Sequence, residues 1–426
     1  MAEQIQAPKG IPEYFPPTGD LFRYVREALT LPVIQAGYKY IELPYFEDAA
    51  LFSRGIGEST DVVSKEMYTF TDRGDRSLAL RPEGTAGVIR SVIENSLTQQ
   101  GLPMKLWYAG AFFRAEKPQK GRYRQLQQVG IEAIGADSAA LDAEVIAIGY
   151  QAFFNLGLRN FELQITSLGC INCRPTYRSL LQSFLANLDL DEETKARAEL
   201  NPLRVLDDKR AEVQKLVQLA PLMLDHVCED CLTYHNEVLE YLDAQHIPYL
   251  VNKKLVRGLD YYTRTTFEFV HHGLGAQSGI GGGGRYDQLM KILGGQDLSG
   301  IGFGLGVDRA LLAAESEGID LAAKLNRPIA VLATEPAMTK LAFALSAELR
   351  QAGFVVDQVT NAKNLKTGLK IAARLGAAAA VIIGPDEVAT GVYAVKMLDS
   401  GVQITAGLGE LGSVIAQHLA LDTKAT

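Results

Sequence analysis

The sequence predicts an α+β domain built on an antiparallel sheet, interrupted by an inserted helical subdomain and followed by a smaller α/β domain. Three observations carry that expectation. Lys105 to Glu132 reads as two strands of period two, with Leu106, Tyr108, Gly110, Phe112, Arg114 and Glu116 on one face of the first. Leu126, Gln128, Gly130 and Glu132 share a face of the second. From Cys170 to Ile247 the texture changes to helices with charged faces, and sheet patterning resumes at Pro248. Beyond Arg327, PIAVLA, FVVDQV and AAAAVIIG alternate with helical stretches, which argues for a mainly parallel sheet covered by helices. The expected boundaries are 1–325, with the insertion at 170–247, and 326–426.

A chain of 426 residues has room for two or three domains, and 47% apolar with 22% charged residues excludes disordered and fibrous classes. The net charge of −8 argues against binding a polyanion through the overall field, so any nucleic-acid contact has to rest on local basic patches. The first residues carry no basic segment followed by an apolar one, and no run approaches the roughly 18 apolar residues that span a bilayer. A cytoplasmic protein is expected, and disulfides are not.

Taken in order, PKGIPEYFPPT is an extended lead-in, and a helix over 19–35 places Leu21, Val25, Leu29 and Val33 on one side. YKYIELP reads as a buried strand ending at Pro44, followed by a short helix. EMYTF and RSLALR form strands around TDRGD, where Gly74 suits a positive φ. Thr85 suits the N-cap of the next helix, a role worth about 1 kcal/mol. A helix over 141–156 carries Val145, Ile148, Phe153 and Leu156 inward, and FELQITSLG returns as a strand. LVRGLDYYTRTTFEFV (255–270) ends in a β-rich run.

The chemistry concentrates on the hairpin. Its strands bring carboxylate, amide and guanidinium groups onto one face beside aromatic residues, and Gly110 and Gly130 leave room where a ligand could lie against the backbone. Ala111, Phe113, Val129, Ile131 and Ala133 face the other way, as core. The connecting KPQKGRYRQ is too long and too basic for a simple turn, with Lys117, Lys120, Arg122 and Arg124 available to an anion. A solvated sheet face with paired charges is the alternative. IGFGLGV (301–307) gives a strand with one apolar face and one face without side chains, against which a flat ligand could lie. It matches neither the P-loop nor the dinucleotide fingerprint. Arg309 opens the following helix, where it opposes the dipole unless a phosphate lies nearby. GGGGRYDQL (281–289) reads mainly as close backbone packing.

LRPEGTAG (80–87), the hairpin and LVRGLDYYTRTTFEF (255–269) closely resemble histidyl-tRNA synthetases, a family of class II aminoacyl-tRNA synthetases, and the resemblance runs through nearly the whole chain. It implies a class II catalytic domain and a C-terminal anticodon-binding domain. It also implies a homodimer formed through the first helix and strand, with ATP, Mg²⁺, L-histidine and its tRNA as ligands, and neither membrane nor DNA. By the same resemblance Arg257 and Arg114 are catalytic. Histidine is held by Glu83, Gly84, Thr85, Arg114, Gln128, Glu132, Arg257, Tyr261 and Tyr262, and ATP by Arg114, Glu116, Arg122 and Arg309. The usual FRHERPQKGR reads FRAEKPQKGR, with Ala115 and Lys117, and Leu126 replaces an aromatic that often stacks on adenine. A regulatory paralogue that assists ATP phosphoribosyltransferase generally lacks the last domain and degrades the phosphate-binding arginines; both are intact here.

Two patterns stand apart. Lys363, Lys366, Lys370 and Arg374 form one helical stripe, either a solvated face or a tRNA contact centred on Lys366 and Lys370. The four cysteines fall as Cys170-x-x-Cys173 and Cys228-x-x-Cys231, a tetrathiolate arrangement suited to structural Zn²⁺.

Overall fold

The computed structural model describes residues 5–57, 60–208, 210–360, 362 and 364–422. The chain divides into two compact units, Met1–Ala322 and Ala323–Thr426.

In the first unit, helix Thr18–Gln35 leads into β1 (Lys39–Tyr40). A small sheet of order β2-β4-β3 follows, made of β2 (Phe46–Asp48), β3 (Thr69–Thr71) and β4 (Ser77–Leu80). The large sheet joins β1 to seven more strands: β5 (Met104–Phe113), β6 (Gln125–Ile134), β7 (Phe161–Ser167), β8 (Leu250–Val251), β9 (Thr263–His271), β10 (Gly279–Tyr286) and β11 (Gly300–Gly306). Their order is β1-β5-β6-β11-β10-β9-β7-β8. The edge pairs β1–β5 and β7–β8 are parallel and the rest antiparallel.

Period-two alternation sends each strand's residues to two different cores. Val129, Ile131, Phe267, Phe303 and Leu305 pack under helices Ala139–Leu156 and Thr18–Gln35, with Val145, Phe153, Val25 and Leu29 fully buried. Leu106, Tyr108, Phe112, Tyr261, Tyr262 and Tyr286 face the opposite way, beside Val88 and Ile89 of helix Thr85–Glu94. Each fully buried aliphatic or aromatic side chain contributes about 1.5–3 kcal/mol over exposure. Register is therefore strongly fixed, because a slip of one residue would drive Glu132 into the apolar core.

Several local expectations change. β1 is a two-residue exposed edge, not a buried strand. The positive φ at the TDRGD turn falls on Asp75 (56°) instead of Gly74, with the Asp72 side chain accepting from the Gly74 and Arg76 amides. Thr85 is the first residue of its helix, and the Glu83 carboxylate caps it by accepting from the amides of Thr85 (2.6 Å) and Ala86 (2.9 Å). The strand with Arg114 and Glu116 on its face ends at Phe113, so both side chains project from the loop beyond it.

Between β7 and β8, Tyr177, Leu181, Leu185, Val205, Val213 and Met223 build a core of their own. The last helix of this segment, Glu229–Ala244, does not stay in it. Cys231 in its first turn belongs to the small core, whereas Val238 and Leu242 bury in the main one.

The second unit holds β12 (Ile329–Ala333), β13 (Val356–Val359), β14 (Ala379–Ile383), β15 (Val392–Met397) and β16 (Gln403–Gly407), in the order β13-β12-β14-β15-β16. Three strands are parallel as expected, but β15 and β16 add an antiparallel hairpin, so the sheet is mixed. Helices Thr339–Gln351 and Leu411–Asp422 cover one face and Leu365–Arg374 the other.

Candidate active site

The glycine-rich strands make the site possible by letting backbones and large side chains approach. A Cβ at Gly283 would lie 1.9 Å from the Gly302 carbonyl, and one at Gly302 would lie 2.1 Å from Glu132 Oε2. The expected bare face of β11 is thus bare only in part: the Glu132 side chain crosses Gly302 and that of Gln128 lies against Gly304. The hairpin glycines serve the protein's own side chains rather than a ligand. Gly110 accommodates the Arg81 guanidinium (2.5 Å from a built Cβ), and Gly130 and Gly84 both accommodate the Tyr108 ring (2.3 Å).

Over this floor lie two adjoining pockets, the inner and outer ends of the site, which share part of their lining. The inner end is lined by Glu83, Gly84, Thr85, Tyr261 and Tyr262, together with Tyr108 and Tyr286. Glu132 sits at its base, fully buried, and its carboxylate accepts from Tyr286 Oη (2.6 Å), Thr85 Oγ1 (2.7 Å) and Tyr108 Oη (3.3 Å). Burial pushes the Glu132 carboxyl up to about 8; the hydrogen bonds from Tyr286 and Thr85 pull the other way, and neighbouring Glu83 adds to the rise. Burial raises Glu83 as well, against the two amides that it caps.

The outer end is larger, about 280 Å³, and cationic. Arg122, Arg309, Glu116, Tyr123, Leu126 and Glu268 line it. Arg122 pairs with Glu116 and, at 3.5 Å, with Glu66. Arg309 Nε donates to the Gly121 carbonyl (2.8 Å), and burial followed by repulsion from Arg114 lowers its pKa. A cluster of this kind stabilises bound anions, and planar guanidinium forks match phosphate oxygens.

Arg114, Gln128 and Arg257 line both ends. Arg114 is aimed by donating Nε to the Pro82 carbonyl (3.0 Å). Arg257 pairs with Glu268 at 3.1 Å, while its Nε is buried without a hydrogen-bond partner. Burial opposes the Arg257 charge, but Glu268 and the two adjacent tyrosines outweigh it and raise its pKa. An orphaned guanidinium N–H at the junction of two subsites has the character of a donor waiting for an acceptor.

The nine residues expected to hold histidine and the four expected to hold ATP thus gather in one place. Sequence reasoning missed Tyr108 and Tyr286, which hold Glu132, and Asp308, which accepts from Tyr14 Oη (2.6 Å) and the Gln127 amide (2.7 Å). The signal for Tyr108 was present, since alternation puts it on the same hairpin face as Gln128 and Glu132. Lys366, Lys370 and Arg374 are exposed on helix Leu365–Arg374, opposite buried Gly368 and Ala372, and Lys363 lies outside the described residues. No helix among the described residues is long and apolar enough to cross a membrane.

Comparison with known proteins agrees with this geometry. Residues 10–310 match the histidyl-tRNA synthetase family, and residues 328–418 match the anticodon binding domain. A histidine-tRNA ligase of Rhodococcus erythropolis is 58% identical over 410 residues, covering 96% of this chain and 97% of its own. One from Mycobacterium bovis is 56% identical over 415 residues, covering 97% and 98%. The solved apo structure of S. aureus histidyl-tRNA synthetase matches with a TM-score of 0.79 and 34% identity, over 96% of this chain and 99% of that one. A match through 301 consecutive positions of the catalytic region (10–310), with relatives more than half identical along nearly the full length, places the conclusion beyond the fold: the chain belongs to the histidyl-tRNA synthetase family.

Proposed function

We propose that this protein activates L-histidine with ATP as histidyl-adenylate and transfers the histidyl group to its cognate tRNA, releasing pyrophosphate and then AMP. One observation carries the reading: a pocket lined by buried polar side chains adjoins a larger, cationic one, and the two share Arg114, Gln128 and Arg257. A neutral imidazole offers one donor and one acceptor, and the inner end supplies both kinds of partner through Glu132 and Tyr262. Glu83 takes the α-amine, and Gln128 orients the carboxylate toward the junction. There a carboxylate oxygen attacks the α-phosphorus and the bond to pyrophosphate breaks. Arg114 holds both reacting groups, and Arg257 donates to the charge that develops. Arg122, held by Glu116, and Arg309 receive the distal phosphates, with Leu126 and the Arg309 stem flanking the base.

Mg²⁺ would enter this site with the phosphates, since the lining carboxylates Glu116 and Glu268 are each paired with an arginine and Asp308 accepts from Tyr14 and the Gln127 amide. When bound it neutralises the leaving pyrophosphate. The second unit takes the anticodon arm, with Lys366 and Lys370 on the contacting face. Homodimerisation uses the apolar side chains left exposed at the end of the first helix and beyond, among them Leu31, Ile34, Tyr40 and Phe46. The reaction belongs in the cytoplasm, where tRNA is charged. The regulatory paralogue is the weaker reading, because the arginines and the C-terminal unit that such proteins lose are present.

Pyrophosphate exchange into ATP, run with each amino acid in turn, tests the assignment. Exchange with histidine alone is expected; exchange with none, or with another amino acid, would overturn it.

A further inference from the structure

We propose that Cys170, Cys173, Cys228 and Cys231 bind one structural zinc ion, and that this clamp holds one wall of the substrate cavity in place. The four Sγ atoms all lie within 4.8 Å of one another. Cys170 and Cys173 are 3.5 Å apart, Cys170 and Cys228 4.0 Å, and Cys173 and Cys231 3.8 Å. A tetrahedral ion with Zn–S bonds of about 2.3 Å requires S···S edges of about 3.8 Å. Three of the six S···S separations thus already match the edges that zinc would impose, the others are at most 4.8 Å, and none of the four is joined as a disulfide.

The surroundings suit thiolates rather than buried neutral thiols. Cys173 is the first residue of helix Cys173–Ala186 and Cys228 the N-cap of helix Glu229–Ala244, so two helix N-termini converge on the negative charge of a Zn(S⁻)₄ centre. The Cys228 amide donates to Cys173 Sγ at 3.1 Å, a contact of the kind that orients metal-bound sulfur. Four protein ligands leave no open position, which assigns the ion to structure and not to catalysis.

The clamp reaches the cavity through the residue after Cys173. Arg174 Nη1 donates to the Tyr262 carbonyl at 2.9 Å, and from the same inserted segment Asn201 Nδ2 donates to Asp260 Oδ1 at 2.9 Å. The loop that presents Tyr261 and Tyr262 is thus held on either side of Tyr261 by the segment the cysteines gather. This second part rests on the proposed histidine site, whereas metal binding does not.

The full chain, purified without chelator, should contain one zinc per chain by elemental analysis. Its cobalt-exchanged form should give the thiolate-to-metal charge-transfer bands of a tetrahedral S₄ site. Cys228→Ser should lose the metal and raise the KM for histidine about tenfold in pyrophosphate exchange, with the KM for ATP little changed. Arg174→Met should keep the zinc and reproduce the KM change. Substoichiometric zinc without cobalt bands, four thiols recovered as two disulfides, or full zinc content in Cys228→Ser would each overturn the site. If Cys228→Ser does not fold, the cobalt spectrum of the wild type decides alone. Unchanged kinetics in Arg174→Met would overturn the coupling while leaving the site. One zinc per chain without histidine-dependent exchange would uphold the site and remove the proposed function instead.

Discussion

The two ends of the cavity are built on opposite principles. At the inner end, every oxygen of Glu132 and Glu83 already accepts a hydrogen bond from the protein, and the acceptors are buried. At the outer end, burial and then the nearby charges of Arg114 and Arg122 depress Arg309, and Arg257 keeps a buried Nε without a partner. The inner end is organised before a ligand arrives, as selection by hydrogen bonding demands, because a wrong occupant leaves buried polar groups unpaired. The outer end keeps a buried donor, Arg257 Nε, without a partner, and under the proposed function an anion completes it.

Arg257 belongs to both ends, so removing it gives the largest effect. Arg257→Ala should lower single-turnover adenylate formation at least a hundredfold, about 3 kcal/mol, while ATP still binds. Near-normal adenylate formation by the folded variant would dissolve the distinction between the ends at their junction.

The next test sharpens the inner end. The Glu132 carboxyl rises from 4.5 to about 8 on burial. A group raised in the folded state adds stability that is complete below its unfolded value and is lost as pH rises toward the folded one. Wild-type stability should therefore decline between pH 5 and pH 8 by a slope that Glu132→Gln lacks, a relative gain for the variant of about 3–4 kcal/mol at pH 8. Melting temperatures of both proteins across that range measure it, and parallel curves would mean that the carboxyl is ionised in the free site. The variant should also lose histidine-dependent exchange.

The smallest effect lies farthest from the cavity. Lys366→Glu combined with Lys370→Glu should weaken tRNA charging several-fold and flatten its salt dependence while leaving pyrophosphate exchange unchanged. An equal fall in both reactions would mean that the second unit had been unfolded and would withdraw the tRNA contact.

Much of this arrangement was legible in the sequence because it is local. Alternation alone put Glu132, Gln128 and Tyr108 on one face and Val129 and Ile131 on the other, and those faces hold. The meaning of the glycines was not legible. Gly84, Gly110 and Gly130 make room for Tyr108 and Arg81, and a pattern within one strand does not specify which distant side chain fills the space. The same limit hid Tyr286, which reaches Glu132 from 154 residues away. β15 and β16 were missed for a different reason. VYAVKM and QITAG alternate well enough, and Gly401 turns between them at φ 71°, but the preceding β-α-β rhythm invited a purely parallel reading.

The Tyr108 ring, pressed against Gly84 and Gly130, has a consequence for how the protein can change over generations. A methyl group at either glycine would stand 2.3 Å from the ring. While Tyr108 remains, alanine at 84 or 130 therefore displaces a buried aromatic that also holds Glu132. Shrinking residue 108 first would open a void and remove one donor to that carboxylate. Each order of substitution passes through a damaged intermediate, so the three positions are locked as a set, and lineages that differ at one of them should differ at the others.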